Sequence, residues 1–241
     1  MISNLVNLIV GAFFLVGAFF ALVNKDNKKL ISFSTALAFI VLIILLFVDI
    51  FPETIELLNK KYLYMGIGIF VGVLILFILE KIIPHHNHYE EIHHHDNHLK
   101  HIGLMTSVAL IIHNVIEGMG VYTVVENDLK AGLIYAFSVG LHNIPFGIEI
   151  TAMLKEKNNN KTMYVYLFLL SISTFLGGLI IFFFSNIITD FILGILLSVT
   201  IGMIIYLLIF ELFVELKENF NKYSIYGLIT GLLLMLIGGL W

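Results

Sequence analysis

Residues 102–125 read Ile-Gly-Leu-Met-Thr-Ser-Val-Ala-Leu-Ile-Ile-His-Asn-Val-Ile-Glu-Gly-Met-Gly-Val-Tyr-Thr-Val-Val. A helix needs about 20 largely apolar residues to cross a bilayer, and this run is long enough. At its centre stand His113, Asn114 and Glu117. Ionisable groups are expensive in hydrocarbon and are rare there unless they serve a function. The run therefore predicts a membrane-spanning helix that carries a polar site.

The next apolar run repeats this pattern. Residues 142–147 read His-Asn-Ile-Pro-Phe-Gly, which copies the layout of residues 113–118, His-Asn-Val-Ile-Glu-Gly. The first and fifth positions of each segment share one helix face, and Glu149 lies on the face of His142, two turns along. A single buried histidine is more often an interhelical hydrogen-bonding group than a ligand. Two matching insertions instead favour one divalent-cation site shared by two helices.

Composition sets the class of protein. Hydrophobic residues make up 59% of the chain and charged residues only 12%, about half the charged share of soluble domains, which is about 25%. The net charge of −4 gives no indication of nucleic-acid binding. Because there is no cysteine, disulfides, iron–sulfur clusters and thiolate metal sites are excluded. The apolar run after the N-terminus follows no basic residue, so we expect a retained first span.

The spacing of the apolar runs predicts an all-α integral membrane protein with a single domain, residues 1–241. No strand-like alternation interrupts the runs, and short polar segments separate them. We expect the metal site between helices 4 and 5. The eight predicted spans are 4–23, 30–51, 62–83, 102–125, 130–153, 162–185, 189–213 and 223–241.

Lysine placement predicts the orientation, because basic residues favour the cytoplasmic side. The chain has no arginine, and ten of its thirteen lysines fall in the odd-numbered loops. We therefore expect those loops in the cytoplasm and both termini outside, in a multi-pass protein of the plasma membrane.

A histidine-rich segment joins spans 3 and 4, and the lysine count puts it in the cytoplasm. Histidine-rich tracts interspersed with acids suit Zn²⁺, Ni²⁺ or Cu²⁺. The alternatives are a merely solvated linker or an expression tag, and the internal position disfavours a tag. The loose spacing predicts an auxiliary metal-binding loop at 85–101 rather than one closed site. Its histidines are His85, His86, His88, His93, His94, His95, His98 and His101.

Three further carboxylates bear on a transport pathway. Asp49 lies near the outer end of span 2 and close to other acids, where it would attract cations or form an ordinary helix-end cluster in water. Glu211 lies deep enough in span 7 to need a partner, which suggests a place on the pathway. Glu215 is nearer the cytoplasmic end, where we expect it to be solvated.

These motifs together resemble the ZIP (Zrt/Irt-like) metal transporters, nearest to the prokaryotic GufA-type branch. The resemblance rests on eight spans, the histidine-rich loop and the paired motifs of spans 4 and 5. Span 7 adds Gly-Met-x-x-Tyr at 202–206 and Glu-Leu-x-x-Glu at 211–215. The likeness covers essentially the whole chain, and the motifs of spans 4 and 5 are specific in combination.

The resemblance implies a transporter, not an enzyme, that moves a divalent metal into the cytoplasm. Zinc is favoured, and the ligand types also admit iron, manganese, cobalt, nickel and cadmium. The family implies an elevator-like shift of one helix bundle against another, and it suggests a homodimer. The metal ligands that it implies, with Glu149 added from its helix position, are His113, Asn114, Glu117, His142, Asn143 and Glu149.

The sequence departs from the family pattern at several positions. Phe146 stands where the GufA-type motif has a metal-bridging glutamate, and residues 174–177, Thr-Phe-Leu-Gly, lack a second acid. Ile116 and Val214 replace common prolines. A site without those two carboxylates is too neutral for two dications, so we expect at most one tightly bound metal, held mainly by two histidines and Glu117.

Three other functions are compatible with parts of this pattern. With Phe146 in the site, the protein could be a metal sensor or a non-transporting ZIP paralogue. The two histidines and Glu117 could nominally serve an intramembrane zinc hydrolase, but no His-Glu-x-x-His motif occurs. A metal exporter of another family would explain the histidine-rich loop but not the paired motifs.

Overall fold

The computed structural model describes residues 1–24, 26–82, 94–155 and 160–238. These residues form eight helices and no β-strand. The all-α fold predicted from the sequence is therefore confirmed. The helices are α1 Ile2–Val23, α2 Asn27–Leu57, α3 Tyr62–Ile82, α4 His94–Asn127, α5 Leu129–Leu154, α6 Lys161–Phe184, α7 Asp190–Glu218 and α8 Lys222–Gly238.

The chain is a multi-pass membrane protein. Seven of the described helices are long and apolar enough to cross a bilayer, and α8 is apolar over its 17 described residues. The spans predicted from the sequence match these helices within a few residues at most ends. The larger differences are that α2 continues to Leu57 and α7 to Glu218, six and five residues past the predicted spans, and that α4 begins at His94, so the last part of the predicted histidine loop is helical. Leu99 and Ile102 are buried there, and this packing extends the helix beyond the apolar run.

A short turn places the two polar helices side by side. Asp128 caps α5, and its carboxylate accepts hydrogen bonds from the backbone amides of Lys130 at 2.9 Å and Ala131 at 3.1 Å. An N-terminal cap of this kind satisfies amides that the helix itself leaves without partners. Because only Asp128 separates α4 from α5, the two helices run antiparallel and bring the motifs at 113–118 and 142–147 to one height.

The eight helices pack as two groups of four. α1, α4, α5 and α6 form the first bundle, and α2, α3, α7 and α8 form the second. Contacts within each bundle are more extensive than contacts between them, which run mainly from α2 and α8 to α5 and from α7 to α4. Both polar motifs therefore belong to the first bundle and face the second.

Glycines bring the helices of each bundle into backbone contact. A Cβ atom on Gly118 would lie 2.1 Å from the carbonyl oxygen of Thr174, and one on Gly177 would lie 2.0 Å from that of Val115. Similar reciprocal contacts join α1 to α5 and α3 to α7. Small residues at such crossings allow the close approach that stabilises helix pairs in lipid. The tight crossings lie within the bundles rather than between them.

Substitution at one of these crossings should destabilise the fold. A Cβ on Gly202 would lie 2.0 Å from the carbonyl oxygen of Ile69, so Gly202→Val must push α3 and α7 apart. We expect a loss of about 2 kcal/mol or more, the range for overpacking a close-packed site, seen as a lower melting temperature and less monodisperse protein on size exclusion. Gly66→Val is the matched control, because nothing lies within 4 Å of its added Cβ. Equal effects of the two substitutions would contradict the assignment.

Two helices of the second bundle contain a π-helical segment at matching places. The segments are Leu45–Ile50 in α2 and Leu207–Leu212 in α7. The surrounding sequences also match, since residues 45–53 read Leu-Leu-Phe-Val-Asp-Ile-Phe-Pro-Glu and residues 207–215 read Leu-Leu-Ile-Phe-Glu-Leu-Phe-Val-Glu. Each copy carries two acids four residues apart. Single π turns inside α-helices are frequently found at functional sites.

Candidate metal centre

Three side chains converge between α4 and α5. The Nε2 atom of His142 lies 3.0 Å from the Oε1 atom of Glu117, and the Nε2 atom of His113 lies 3.6 Å from the same oxygen. Each residue offers one ligand atom, and these atoms lie within 4.8 Å of one another. The i, i+4 spacing on α4 and the antiparallel packing of α5 produce this convergence. We call these three residues the central cluster.

The central cluster is buried, and several of its polar atoms lack hydrogen-bond partners among the described residues. His113 is 2% exposed, His142 4% and Glu117 8%. Neither ring nitrogen of His113 has a hydrogen-bond partner among the described residues, and neither does the Oε2 atom of Glu117. Leaving a buried donor or acceptor unsatisfied costs about 1–3 kcal/mol. Two imidazoles and one carboxylate with free lone pairs match the ligand types that divalent transition metals prefer.

The two asparagines of the motifs flank the central cluster. Asn114 is fully buried, and neither its side-chain oxygen nor its nitrogen has a hydrogen-bond partner in the described parts of the chain. The Nδ2 atom of Asn143 donates to the carbonyl oxygen of Val10 at 3.4 Å, while its Oδ1 atom has no such partner. Asn143 thus connects the motif of α5 to α1, and its side-chain oxygen has no hydrogen-bond partner among the described residues.

A cavity of about 490 Å³ leads away from the central cluster. It runs toward the end of the molecule where α2 and α4 finish and α7 begins, and it is lined there by Leu57, Val124 and Asp190. Asp49 and Glu53 also line it and are exposed. Two carboxylates in the wall of a cavity raise the local concentration of cations. By the lysine distribution, this end is the predicted outer side.

Phe146 closes the other side of the central cluster. It is fully buried, and its ring centroid lies 6.5 Å from that of His142 in an edge-on arrangement. Leu42 and Leu110 are buried in the same apolar cluster. Glu149, included in the metal set from its helix position, lies beyond this layer and is not one of the three convergent residues. Seven residues of helix place its Cα about 10 Å from that of His142.

A second polar group lies at the opposite end of the interface between the bundles. The Nε2 atom of His101 lies 3.6 Å from the Oε1 atom of Glu211, and the Nδ1 atom of His98 lies 3.5 Å from the Oε2 atom of Glu215. Glu215 is 1% exposed and also accepts a hydrogen bond from Asn219 at 2.7 Å. The expectation that Glu215 is solvated is therefore wrong, because the helical start of α4 covers it. We call these four residues the inner cluster.

The histidine-rich segment is only partly described. His98 and His101 belong to the inner cluster, and the side chains of the other six histidines lie outside the described residues. Their predicted role in metal binding stays a prediction.

Glu53 is one of the acids that the sequence places close to Asp49, where an acidic mouth would attract cations, and it lines the cavity. The pairing of His98 with Glu215 was not predicted. The similarity between residues 45–53 and 207–215 is a signal for Glu53 and Glu215, because it assigns an acidic pair to each copy. No local signal predicts that α4 starts early enough to carry His98 onto α7.

Comparison with known proteins agrees with the geometry. A model of the ZIP zinc transporter family matches residues 84–239. The zinc transporter ZupT of Streptococcus mutans is 27% identical over 240 residues, which cover 92% of this chain and 90% of that protein. The ZupT proteins of Oceanobacillus iheyensis (27% identical, 98% and 96% covered) and Clostridium perfringens (26%, 91% and 87%) are similar over comparable lengths. With a paired histidine–glutamate motif across two membrane helices and a family match over more than half of its length, this chain belongs to the ZIP zinc transporter family.

Proposed function

We propose that this chain transports zinc into the cytoplasm and binds each ion at the central cluster during transit. The observation that carries the proposal is the convergence of His113, Glu117 and His142 within 4.8 Å in a buried, unsatisfied environment. The amides of Asn114 and Asn143 assist as weaker oxygen ligands. One carboxylate and two neutral imidazoles suit a single dication, in keeping with the absence of a glutamate at Phe146.

The route follows from the surfaces on either side of the central cluster. Zinc enters along the cavity past Asp49 and Glu53, since both carboxylates line its wall. It leaves toward the inner cluster, where Glu211 and its histidine partner lie at the opposite end of the interface. The lysine distribution supports placing the cavity on the outer side with both termini outside, and we propose that zinc moves inward along this route.

The packing supports an elevator-type movement. The central cluster lies entirely within the first bundle, while the acids of both ends, Asp49 and Glu211, lie on the second. Reciprocal glycine contacts hold each bundle together from within. A first bundle that slides along the second as a rigid body would carry the cluster from the outer acids to the inner ones.

Zinc is the first choice of substrate because the similar ZupT proteins are named as zinc transporters. The same ligand types admit iron, manganese, cobalt, nickel and cadmium. We propose a transporter rather than an enzyme, because the family to which the chain belongs consists of zinc transporters. The competing function is that of a sensor that binds zinc without moving it. The buried apolar side chain of Phe146, next to the central cluster, favours this alternative. We include a homodimer in the proposal on the basis of the family alone.

Uptake of zinc into proteoliposomes tests the proposal. We expect saturable uptake by the natural chain and none by His113→Ala, measured with a zinc dye inside the vesicles and with iron in parallel. Orientation is checked by labelling a cysteine added at either terminus, which is unambiguous because the chain has no cysteine of its own. A natural chain that binds zinc but never moves it would replace the transporter with the sensor.

A further inference from the structure

Glu149 is a buried acid that has no role in the transport route proposed above. It is fully buried in α5, and neither of its carboxyl oxygens has a hydrogen-bond partner among the described residues. A charge in this setting is costly unless a cation compensates for it. Its place is also specific, because it lies on the helix face of His142, two turns along and beyond Phe146.

The packing of α4 against α5 brings a hydroxyl to the same height. A Cβ on Gly103 would lie 3.0 Å from the Cβ of Met153, which fixes the register of the two antiparallel helices. Thr106 lies one turn from Gly103, and Glu149 lies one turn from Met153 in the same direction. Thr106 is fully buried, and its Oγ1 atom has no hydrogen-bond partner in the described part of the chain.

Helix α2 contributes a second hydroxyl at this level. Ile31 and Ala152 pack in one apolar cluster. Thr35 lies one turn beyond Ile31 on its face of α2, and Glu149 lies one turn from Ala152 toward the membrane centre. Thr35 is 1% exposed, and its Oγ1 atom likewise lacks a described partner. Three helices thus bring unsatisfied oxygen atoms to one layer of the bundle.

An apolar layer separates this oxygen group from the central cluster. On α4, Leu110 lies between His113 and Thr106, and on α5, Phe146 lies between His142 and Glu149. Both apolar residues belong to one buried cluster. The order along each helix is therefore polar, apolar, polar, and the two polar levels are too far apart to hold the same ion.

We propose that Glu149, with the hydroxyls of Thr35 and Thr106, forms a second binding station that the divalent cation occupies after it leaves the central cluster. This inference rests on the proposed function. An oxygen-only set binds zinc less tightly than one with two imidazoles, because imidazole is the better-matched ligand for this metal. The station therefore receives the ion beyond Phe146. Because Thr35 lies on the second bundle, the proposed slide of the first bundle separates it from Glu149 and Thr106 and releases the ion toward the inner cluster.

Zinc uptake by Glu149→Gln provides the first test. We expect the maximal rate to fall by at least about tenfold, with half-saturation within about twofold of the natural chain, since the loss of a metal-site partner typically costs about 10–100-fold. The matched control is Thr151→Val, which removes another buried hydroxyl on α5 two residues away, rotated by about 200°. Normal uptake by Glu149→Gln, or loss of folded protein on size exclusion, would overturn the proposal.

A second test does not require transport. Glu149→Cys introduces a single thiol into a chain that has none, and a small thiol reagent is applied from the cytoplasmic side with and without Cd²⁺. We expect Cd²⁺ to protect the thiol, and we expect protection to persist when His113→Ala is added. A thiol that never reacts, or one that Cd²⁺ does not protect, contradicts the station. A chain that fails to transport zinc yet shows this protection would refute the proposed function and leave the station standing.

Discussion

Glu117→Gln should abolish zinc uptake and lower the affinity of the central cluster by about 100-fold or more, or about 3 kcal/mol. The Oε1 atom of Glu117 is the shared point of the cluster, 3.0 Å from the Nε2 atom of His142 and 3.6 Å from that of His113. Glutamine has nearly the same shape but removes the only formal negative charge of the cluster. A dication would then be buried among neutral ligands, which is expensive in a membrane interior.

The measurement is zinc uptake into proteoliposomes together with zinc-dependent thermal stabilisation. Glu126→Gln is the matched control on the same helix, because Glu126 lies nine residues away, accepts a hydrogen bond from the hydroxyl of Ser3, and is not part of the cluster. We expect this control to bind and transport zinc normally. If Glu117→Gln retained full uptake, the central cluster would not be the transport site.

Phe146→Glu should create a second zinc position beside the first. The ring of Phe146 is fully buried next to that of His142, so a carboxylate there would project toward the same cluster. Without metal, two buried carboxylates repel each other and the variant should be less stable. Saturating zinc should then raise its melting temperature by about 5 °C more than that of the natural chain, which corresponds to about 2 kcal/mol for a chain of this size.

Leu170→Glu is the control for this substitution. It buries the same charge in the same apolar cluster but on α6, which carries no residue of the central cluster or of the proposed second station, so zinc should not rescue its stability. Zinc binding is compared between variants that all keep the histidine-rich segment, so that its contribution cancels. Equal responses of Phe146→Glu and Leu170→Glu to zinc would show that position 146 does not face the metal.

The helices were predictable because membrane spans are set by length and hydropathy, which are local properties of the chain. The predicted spans 4–23, 62–83 and 162–185 thus had nearly their final bounds. The start of α4 at His94 was not predictable in this way. Polar residues continue the helix there because Leu99 and Ile102 pack against other helices. The local hydropathy of the sequence does not predict such contacts.

The central cluster was predictable because its members repeat at helical spacing on two consecutive spans. His113 and Glu117 had to share a face, and a short turn had to bring α5 alongside. It was harder to predict which residues of different helices lie at the same depth in the bundle. Glu149 shares a face with His142, yet only the packing of Leu110 and Phe146 reveals that an apolar layer divides them. The partners of Glu211 and Glu215 depend likewise on how α4 crosses α7.

The repeated segments at residues 45–53 and 207–215 bear on the thermodynamics of flux. They run through the membrane in opposite directions, so an ion meets an equivalent acidic pair from either side. If acids admit the ion at both ends, as we propose, we expect its net movement to follow the electrochemical gradient of the metal. At a potential of about 100 mV, negative inside, each divalent ion gains about 4.6 kcal/mol on entry. We therefore expect a negative-inside potential to drive net uptake, and we expect the same protein in unpolarised vesicles to equilibrate zinc in both directions.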